Sequence, residues 1–256
     1  TVEHTPMGTA GGIKLMEEWI DGPFVIASGD NLTSFDILPL IQLHQKRQAD
    51  VSMALWEVEN PSEFGIVDHD KEGQIVRFQE KPDQSEAFSN LINAGLYVVQ
   101  PDVLRLIPGS GAYDFSNDLF PSMLQSGRRL YASPLQGTWY DIGRHSDFAR
   151  GQIEIAAGIS HLVDGVELKG SSVVQSSWQA ASAIVNQSAR LDHSVIHANA
   201  FVGDEADVSH CIIMRGARVE AGAVLRGCIL PPGVQYSRDG NTLGGNYLTG
   251  YAGDIG

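Results

Sequence analysis

Apolar residues recur along this chain in two different rhythms. Up to about residue 155, short continuous apolar runs alternate with stretches of helical spacing. The run PFVIASGD, from Pro23 to Asp30, predicts a parallel strand buried on both faces, whose carboxyl end is where an open α/β sheet places ligands. ADVSMALWEVE and LINAGLYVV predict further strands, and FGIVDHDKEGQIVRFQEKP predicts a hairpin about the turn Asp70–Gly73. Between them, TSFDILPLIQLHQKRQ predicts a helix with Thr33 or Ser34 as N-cap. PDVLRLI begins with a Pro suited to a first helical turn, FSNDLFPSMLQSG reads as a short helix closed by Gly127, and SDFARGQIEIAAG as a helix leading away.

From about residue 165 small or β-branched residues return every five to six positions: Ile184, Ile196, Val202, Val208, Ile213, Val219, Val224 and Leu230. Ala200, Ala206, Ala217 and Ala223 form a parallel series. A period near six is that of hexapeptide repeats, each forming one short side of a parallel β-helix coil. A β-sandwich would place its turns every 8–12 residues.

Charge and composition narrow the function. At −14, the net charge argues against a nucleic-acid partner, whose phosphates call for basic residues. No apolar run reaches the roughly 20 residues of a membrane span, and no signal-peptide pattern opens the chain, so a soluble cytoplasmic protein is the default expectation. Cys211 and Cys228 lie in alternating apolar sequence without CxxC spacing and read as small core residues.

Candidate chemistry gathers at strand ends in the first region. Asp30 follows Ser28 and Gly29 at the end of a run, and Asp141 stands in GTWYDIG; hard oxygen ligands of this kind suit Mg²⁺, although each taken alone reads first as a turn residue, or at Asp30 an N-cap. Glu80 and Lys81 precede a Pro in QEKP, and Asn93 and Gly95 stand in INAGLY. Lys is a point-charge phosphate binder, while Glu and Asn read hydroxyls.

In their order, GTAGGI, VIASGD, FGIV, FQEKP, INAGLYV, DFSNDLFP and GTWYDIG closely resemble the sugar-phosphate nucleotidyltransferases, also called nucleotide-sugar pyrophosphorylases. Among these the resemblance is nearest to the mannose-1-phosphate guanylyltransferases and their glucose-1-phosphate relatives. It implies an α/β fold: a Rossmann-like, GT-A-like mixed sheet over residues 1–158, and a left-handed parallel β-helix over 165–256. It implies Mg²⁺ held by Asp30 and Asp141, Glu80 on sugar hydroxyls and Lys81 on the sugar phosphate. Gly65, Asn93 and Gly95 would line the sugar pocket, Gly29 would lie against substrate beside Asp30, and Gly8, Thr9 and Ala10 would form a loop under the nucleotide base. The implied reaction joins a sugar 1-phosphate, most simply mannose 1-phosphate, to a nucleoside triphosphate, most simply GTP, and releases pyrophosphate.

The family's signature GGxGTRLxPLT…PK, which cradles the triphosphate, is not found in the chain. The resemblance therefore implies that Thr1 is a cut end, with at least one strand upstream, and that residues 1–256 alone have no measurable nucleotidyl transfer. Two other readings compete. One is a non-catalytic regulatory subunit, disfavoured by retention of both Asp30 and Asp141. The other makes the tail an acyltransferase, with only His193, His197 and His210 to supply its base. A homo-oligomer assembled through the β-helix is also expected.

Overall fold

The structure, a computed structural model, describes residues 2–156, 172–174, 176–246 and 248–249. The boundary expected between residues 158 and 165 lies outside the described residues. The chain divides into two compact units: Thr1–Asn31 with Phe35–Trp139, and Leu32–Ser34 with the chain from Tyr140 onward.

The first unit is an α/β sheet. Its strands are β1 (Phe24–Ala27), β3 (Val51–Glu57), β4 (Gly65–His69), β5 (Ile75–Glu80), β6 (Leu91–Val99) and β7 (Leu130–Pro134); β2 (Asn31–Thr33), next after β1 in the chain, lies outside this sheet. They pair in the order β5-β4-β6-β3-β7, with β1 also against β6. Strand β3 runs parallel to β7 and antiparallel to β6, so the sheet is mixed. Val51, Met53 and Leu55 of β3 pack with Tyr97, Phe115, Phe120 and Met123 on one face, whereas Ala54 packs with Leu40, Leu96 and Val98 on the other. This two-faced burial explains why β3 reads as a continuous apolar run.

The same expectation fails for β1. It pairs antiparallel with β6 along Phe24↔Val99 to Ala27↔Leu96. Only Ile26 is buried, and Val25 is 46% exposed. Its apolar run reflects one side packed on the sheet and one side facing out. The hairpin forms as expected, with Gly73 at φ +84° and its N–H donating to Asp70 O. Helix α2 begins at Leu38 rather than at Thr33, which lies in β2. Asp36 Oδ1 accepts the Leu38 N–H at 3.0 Å, and Pro39 holds the first turn, so the start signal is Asp-x-Leu-Pro, not the upstream Thr-Ser. On the buried face of α2 (Leu38–Arg47), His44 meets Ser52 Oγ through Nδ1 at 3.1 Å and the Gln100 amide through Nε2 at 3.0 Å. Desolvation there lowers its pKa against the nearby Asp50 charge.

The opening stretch differs from its expectation too: Gly8–Lys14 is a helix, α1, not a loop. It is anchored by two N–H donors, from Ala10 and Gly11, that share the Tyr113 carbonyl at 3.0 Å. That tertiary anchor offsets the weak helical preference of three glycines.

The second unit is a solenoid with a helix laid against it. Strand β8 (Trp139–Asp141) pairs with β2, and helix α3 (His145–Ala156) follows. Ala149, Ile153 and Ala156 of α3 pack on Val195, Ile212 and Ile229. Within the solenoid, Trp178 pairs with Val195, Val195 with Ile212 and Ile212 with Ile229, 17 residues on each time. Ile184↔Phe201↔Arg218 and Arg190↔Asp207↔Val224 repeat the same parallel register on two further faces. One of the three sides is therefore a residue short of a hexapeptide.

Ala200, Ala206, Ala217 and Ala223 are buried at inner corners, and Val202, Val208, Ile213, Val219 and Leu230 fill the interior. Two members of the apolar series point outward instead, Ile184 at 59% and Val224 at 55% exposure. Leu225, next to Val224, takes the inner place beside Val208, as strand alternation requires. Cys211 and Cys228 are free, buried and in line on successive coils, Sγ to Sγ 3.5 Å.

Candidate functional site

Strands β4 and β5 set Gly65 opposite Glu80. A Cβ on Gly65 would lie 2.6 Å from Glu80 Oε2 and 2.9 Å from the Phe78 ring, so glycine makes the space in which the carboxylate stands. Burial raises the Glu80 pKa; a hydrogen bond from Ser116 and the charge of Lys81 oppose the rise, and the Asp114 charge adds to it. Lys81, at the end of β5, takes φ +43°, its N–H donating to Phe64 O at 3.0 Å and its side chain exposed. The left-handed turn breaks the ladder just where the ammonium group is presented.

On β6 the register against β3 shifts between Met53 and Leu55, opposite Asn93 and Gly95. Asn93 Oδ1 accepts the Gly95 N–H at 3.1 Å, and its Nδ2 donates to Ser116 Oγ at 3.4 Å. Gly95 has φ +70°, and a Cβ there would fall 2.4 Å from Asn31 Nδ2 and 2.7 Å from Ser28 Oγ. No other residue fits both the conformation and the space. The end of β1 is hooked onto this irregularity: Ser28 N–H donates to Gly95 O at 2.9 Å and Asn31 Nδ2 to Ala94 O at 2.8 Å. Gly29 and Asp30 follow, both exposed, and a Cβ on Gly29 would meet open space.

Helix α1 closes the other side through Asp114. The Thr9 hydroxyl donates to Asp114 Oδ2 at 2.6 Å and accepts the Phe115 N–H at 3.0 Å. Asp114 Oδ1 accepts the N–H groups of Ser116 and Asn117, capping the turn Phe115–Leu119. Burial works against the Asp114 charge, yet the Thr9 hydroxyl and the backbone donors outweigh it and hold its pKa below the ordinary carboxylate value. Gly8, at φ +73°, brings the helix so close that a Cβ would lie 2.5 Å from Tyr113 O.

Gly8, Thr9, Ala10, Gly65, Glu80, Asn93 and Gly95 are thus gathered around DFSND. Asp114 and Ser116 link them, and their role was not evident from the sequence. The available signal was the acidic spacing Asp114…Asp118, closed here by Asp114 N–H donating to Asp118 Oδ2 at 2.8 Å. Asp141 belongs to the second unit, half-buried, its Oδ1 accepting the Gly143 N–H at 3.0 Å. A separate cavity of about 530 Å³ opens at the carboxyl ends of β3 and β7, lined by Trp56, Glu57, Asn90, Leu91 and Gln136 among others.

Residues 1–158 match the protein-family model described as nucleotidyl transferase. The chain belongs to that family. Its remainder, residues 156–247, matches a GlmU-like C-terminal hexapeptide model, in keeping with the parallel β-solenoid. The chain is 35% identical over 172 residues to the UTP–glucose-1-phosphate uridylyltransferase of Synechocystis sp., covering 65% of this chain and 44% of that protein. It is 37% identical over 159 residues to the mannose-1-phosphate guanyltransferase of Yarrowia lipolytica, covering 59% and 42%. With the mannose-1-phosphate guanylyltransferase catalytic subunit beta of Drosophila pseudoobscura pseudoobscura it shares 31% identity over 192 residues, 74% of this chain and 51% of that one. The chain spans about half the length of the curated relatives it matches. A Bacillus anthracis structure carrying the name glucose-1-phosphate thymidylyltransferase, in complex with a sucrose, aligns with TM-score 0.52 and 25% identity over 59% of this chain and 61% of that one. Among the described residues, no helix is long and apolar enough to cross a membrane.

Proposed function

We propose that the protein carrying this chain transfers a nucleotidyl group from a nucleoside triphosphate to a sugar 1-phosphate. The observation that carries the proposal is the convergence of Glu80 and Asn93 on Ser116, with Gly65 leaving room for the Glu80 carboxylate. In this reading the sugar hydroxyls donate to the Glu80 carboxylate and exchange hydrogen bonds with Asn93. Lys81 faces the phosphate, and backbone near Gly29 and Gly95 approaches the substrate. A sugar-phosphate oxygen attacks the α-phosphorus, the bond from that phosphorus to its bridging oxygen breaks, and pyrophosphate carries the electron pair away. Both substrates are anionic, so positioning and charge neutralisation supply the catalysis.

Asp30 and Asp141, each on the strength of its motif, are assigned to Mg²⁺. Two carboxylates, one exposed and one half-buried, are hard oxygen donors that fit this ion. When bound, it would offset the charge of the phosphates. Gly8, Thr9 and Ala10 are assigned to the nucleotide side, with Thr9 acting through Asp114. Residues 1–158 form the nucleotidyltransferase domain and 165–256 the β-helix domain, the latter joining copies of the chain in a cytoplasmic homo-oligomer. GTP and mannose 1-phosphate are the favoured pair, supported by the guanylyltransferase relatives. Glucose 1-phosphate with UTP is the second reading, supported by the uridylyltransferase.

Pyrophosphate release by the full-length protein, measured with GTP, UTP, dTTP and ATP against mannose and glucose 1-phosphates, tests the proposal. Mg²⁺-dependent release with GTP and mannose 1-phosphate above the other pairs is the expected result. Preference for UTP and glucose 1-phosphate would favour the second reading, and no release with any pair would overturn both.

A further inference from the structure

The solenoid carries a cluster that nucleotidyl transfer does not use. Because its coils repeat every 17 residues, His193 and His210 occupy the same corner of successive coils, in the series Ser176, His193, His210, Gly227. All four have positive φ, at 60°, 42°, 52° and 53°. Such corners suit glycine or asparagine, and a β-carbon there costs about 1 kcal/mol. Two histidines nonetheless stand at them, fixed by the ladder: the His210 N–H donates to Asp192 O at 2.9 Å. Their rings stack with centroids 5.1 Å apart and planes 6° from parallel. Asp192 Oδ1 lies 2.8 Å from His193 Nδ1. One ligand atom from each of Asp192, His193 and His210 falls within 4.8 Å of the others. The nearby cation, Arg226, is paired with Asp207 Oδ2 at 2.5 Å.

We propose that Asp192, His193 and His210 bind one divalent first-row transition ion, of the Zn²⁺, Co²⁺ or Ni²⁺ class. Two imidazoles and a carboxylate are the donor set such ions prefer over Mg²⁺. The coil spacing, near the 4.7–4.9 Å between neighbouring strands, sets the two rings slightly farther apart than a bound ion needs, and small side-chain rotations close the gap. All three residues are accessible from solvent, so the ion would keep open positions for water.

The test is a titration of the tag-free chain with Co²⁺, followed by its visible absorption, and with Zn²⁺, followed by calorimetry and by the histidine ring signals in NMR. Expected is one equivalent bound, with the His193 and His210 rings shifting and the other histidine rings unmoved. H210N should weaken binding roughly tenfold or more, and H193N/H210N should abolish the cobalt spectrum. Asparagine is chosen because it accepts the left-handed corner, and circular dichroism checks that the coil persists. H197N, which alters a half-buried histidine bonded to Gln152 instead, should bind as the unaltered chain does. Absence of stoichiometric binding, shifts at other rings, unchanged affinity in H193N/H210N or an equal loss in H197N would each overturn the proposal.

Discussion

In the solenoid, a step of 17 residues returns a side chain to the surroundings it left: Val195, Ile212 and Ile229 meet the same neighbours in turn. The α/β unit has no such translation. Gly65 stands against Glu80 and Phe78, Gly95 against Asn31 and Ser28, and Gly8 against the Tyr113 backbone, and none of the three environments resembles another. Stability in the solenoid is therefore spread over equivalent positions. In the α/β unit the candidate site rests on a few irregularities, a register shift and left-handed residues among them, that cannot be exchanged. Substitutions should then separate the two units into one that loses stability and one that loses binding.

The largest effect belongs to the solenoid interior. Ile213→Ala removes a fully buried side chain between coils and should cost about 2–5 kcal/mol in urea unfolding while leaving sugar-phosphate binding intact. A parallel loss of binding would break the separation. Glu80→Gln should do the reverse, lowering kcat/KM about a hundredfold through a lost charged hydrogen bond. Since burial raises the Glu80 pKa, its charge is carried at a cost above that pKa, and the variant should melt at the same temperature or higher at pH 7.

Glycines give a closer comparison. Gly95→Ala meets Ser28 and Asn31 as well as an unfavourable φ, so about 1–3 kcal/mol and most of the binding should go together. Gly216→Ala has nearly the same φ, +69°, but open space around it, and should cost about 1 kcal/mol with no functional change. Smaller again is Asp114→Asn, at about 1 kcal/mol. The Asp114 pKa is depressed in the folded chain, so its contribution is complete above the unfolded value of 3.8 and fades as pH falls through the lower folded value. In the variant that acid-sensitive part of the unfolding curve should disappear. Val224→Ala, on the outer face, should change stability by less than about 0.5 kcal/mol.

Periodicity explains what was legible in the sequence. The solenoid announced itself because every coil repeats the same choice of small inner residue. Its two outward-facing members, Ile184 and Val224, entered the series because the spacing was followed without the strand alternation that, beside Val224, places Leu225 inside. Strand β3 was legible because it is covered on both faces, and β1 misled because a half-covered strand rich in Val and Ile reads the same way. Glu80, Lys81, Asn93 and Gly95 emerged through a resemblance of ordered motifs. Asp114 and Ser116 were hidden because their importance lies in contacts with Thr9, Glu80 and Asn93, residues far away in the chain. Helix α1 was missed for the same reason, its anchor being the Tyr113 carbonyl.

The site in the α/β unit is tested most directly by NMR titration of the chain with mannose 1-phosphate and glucose 1-phosphate. The amides of Gly65, Glu80, Lys81, Asn93 and Gly95 should shift in a saturable way, and those of Gly216 and Ala217 in the solenoid should not. Saturable shifts that leave the first five amides unmoved, or that center on the solenoid, would contradict the assignment.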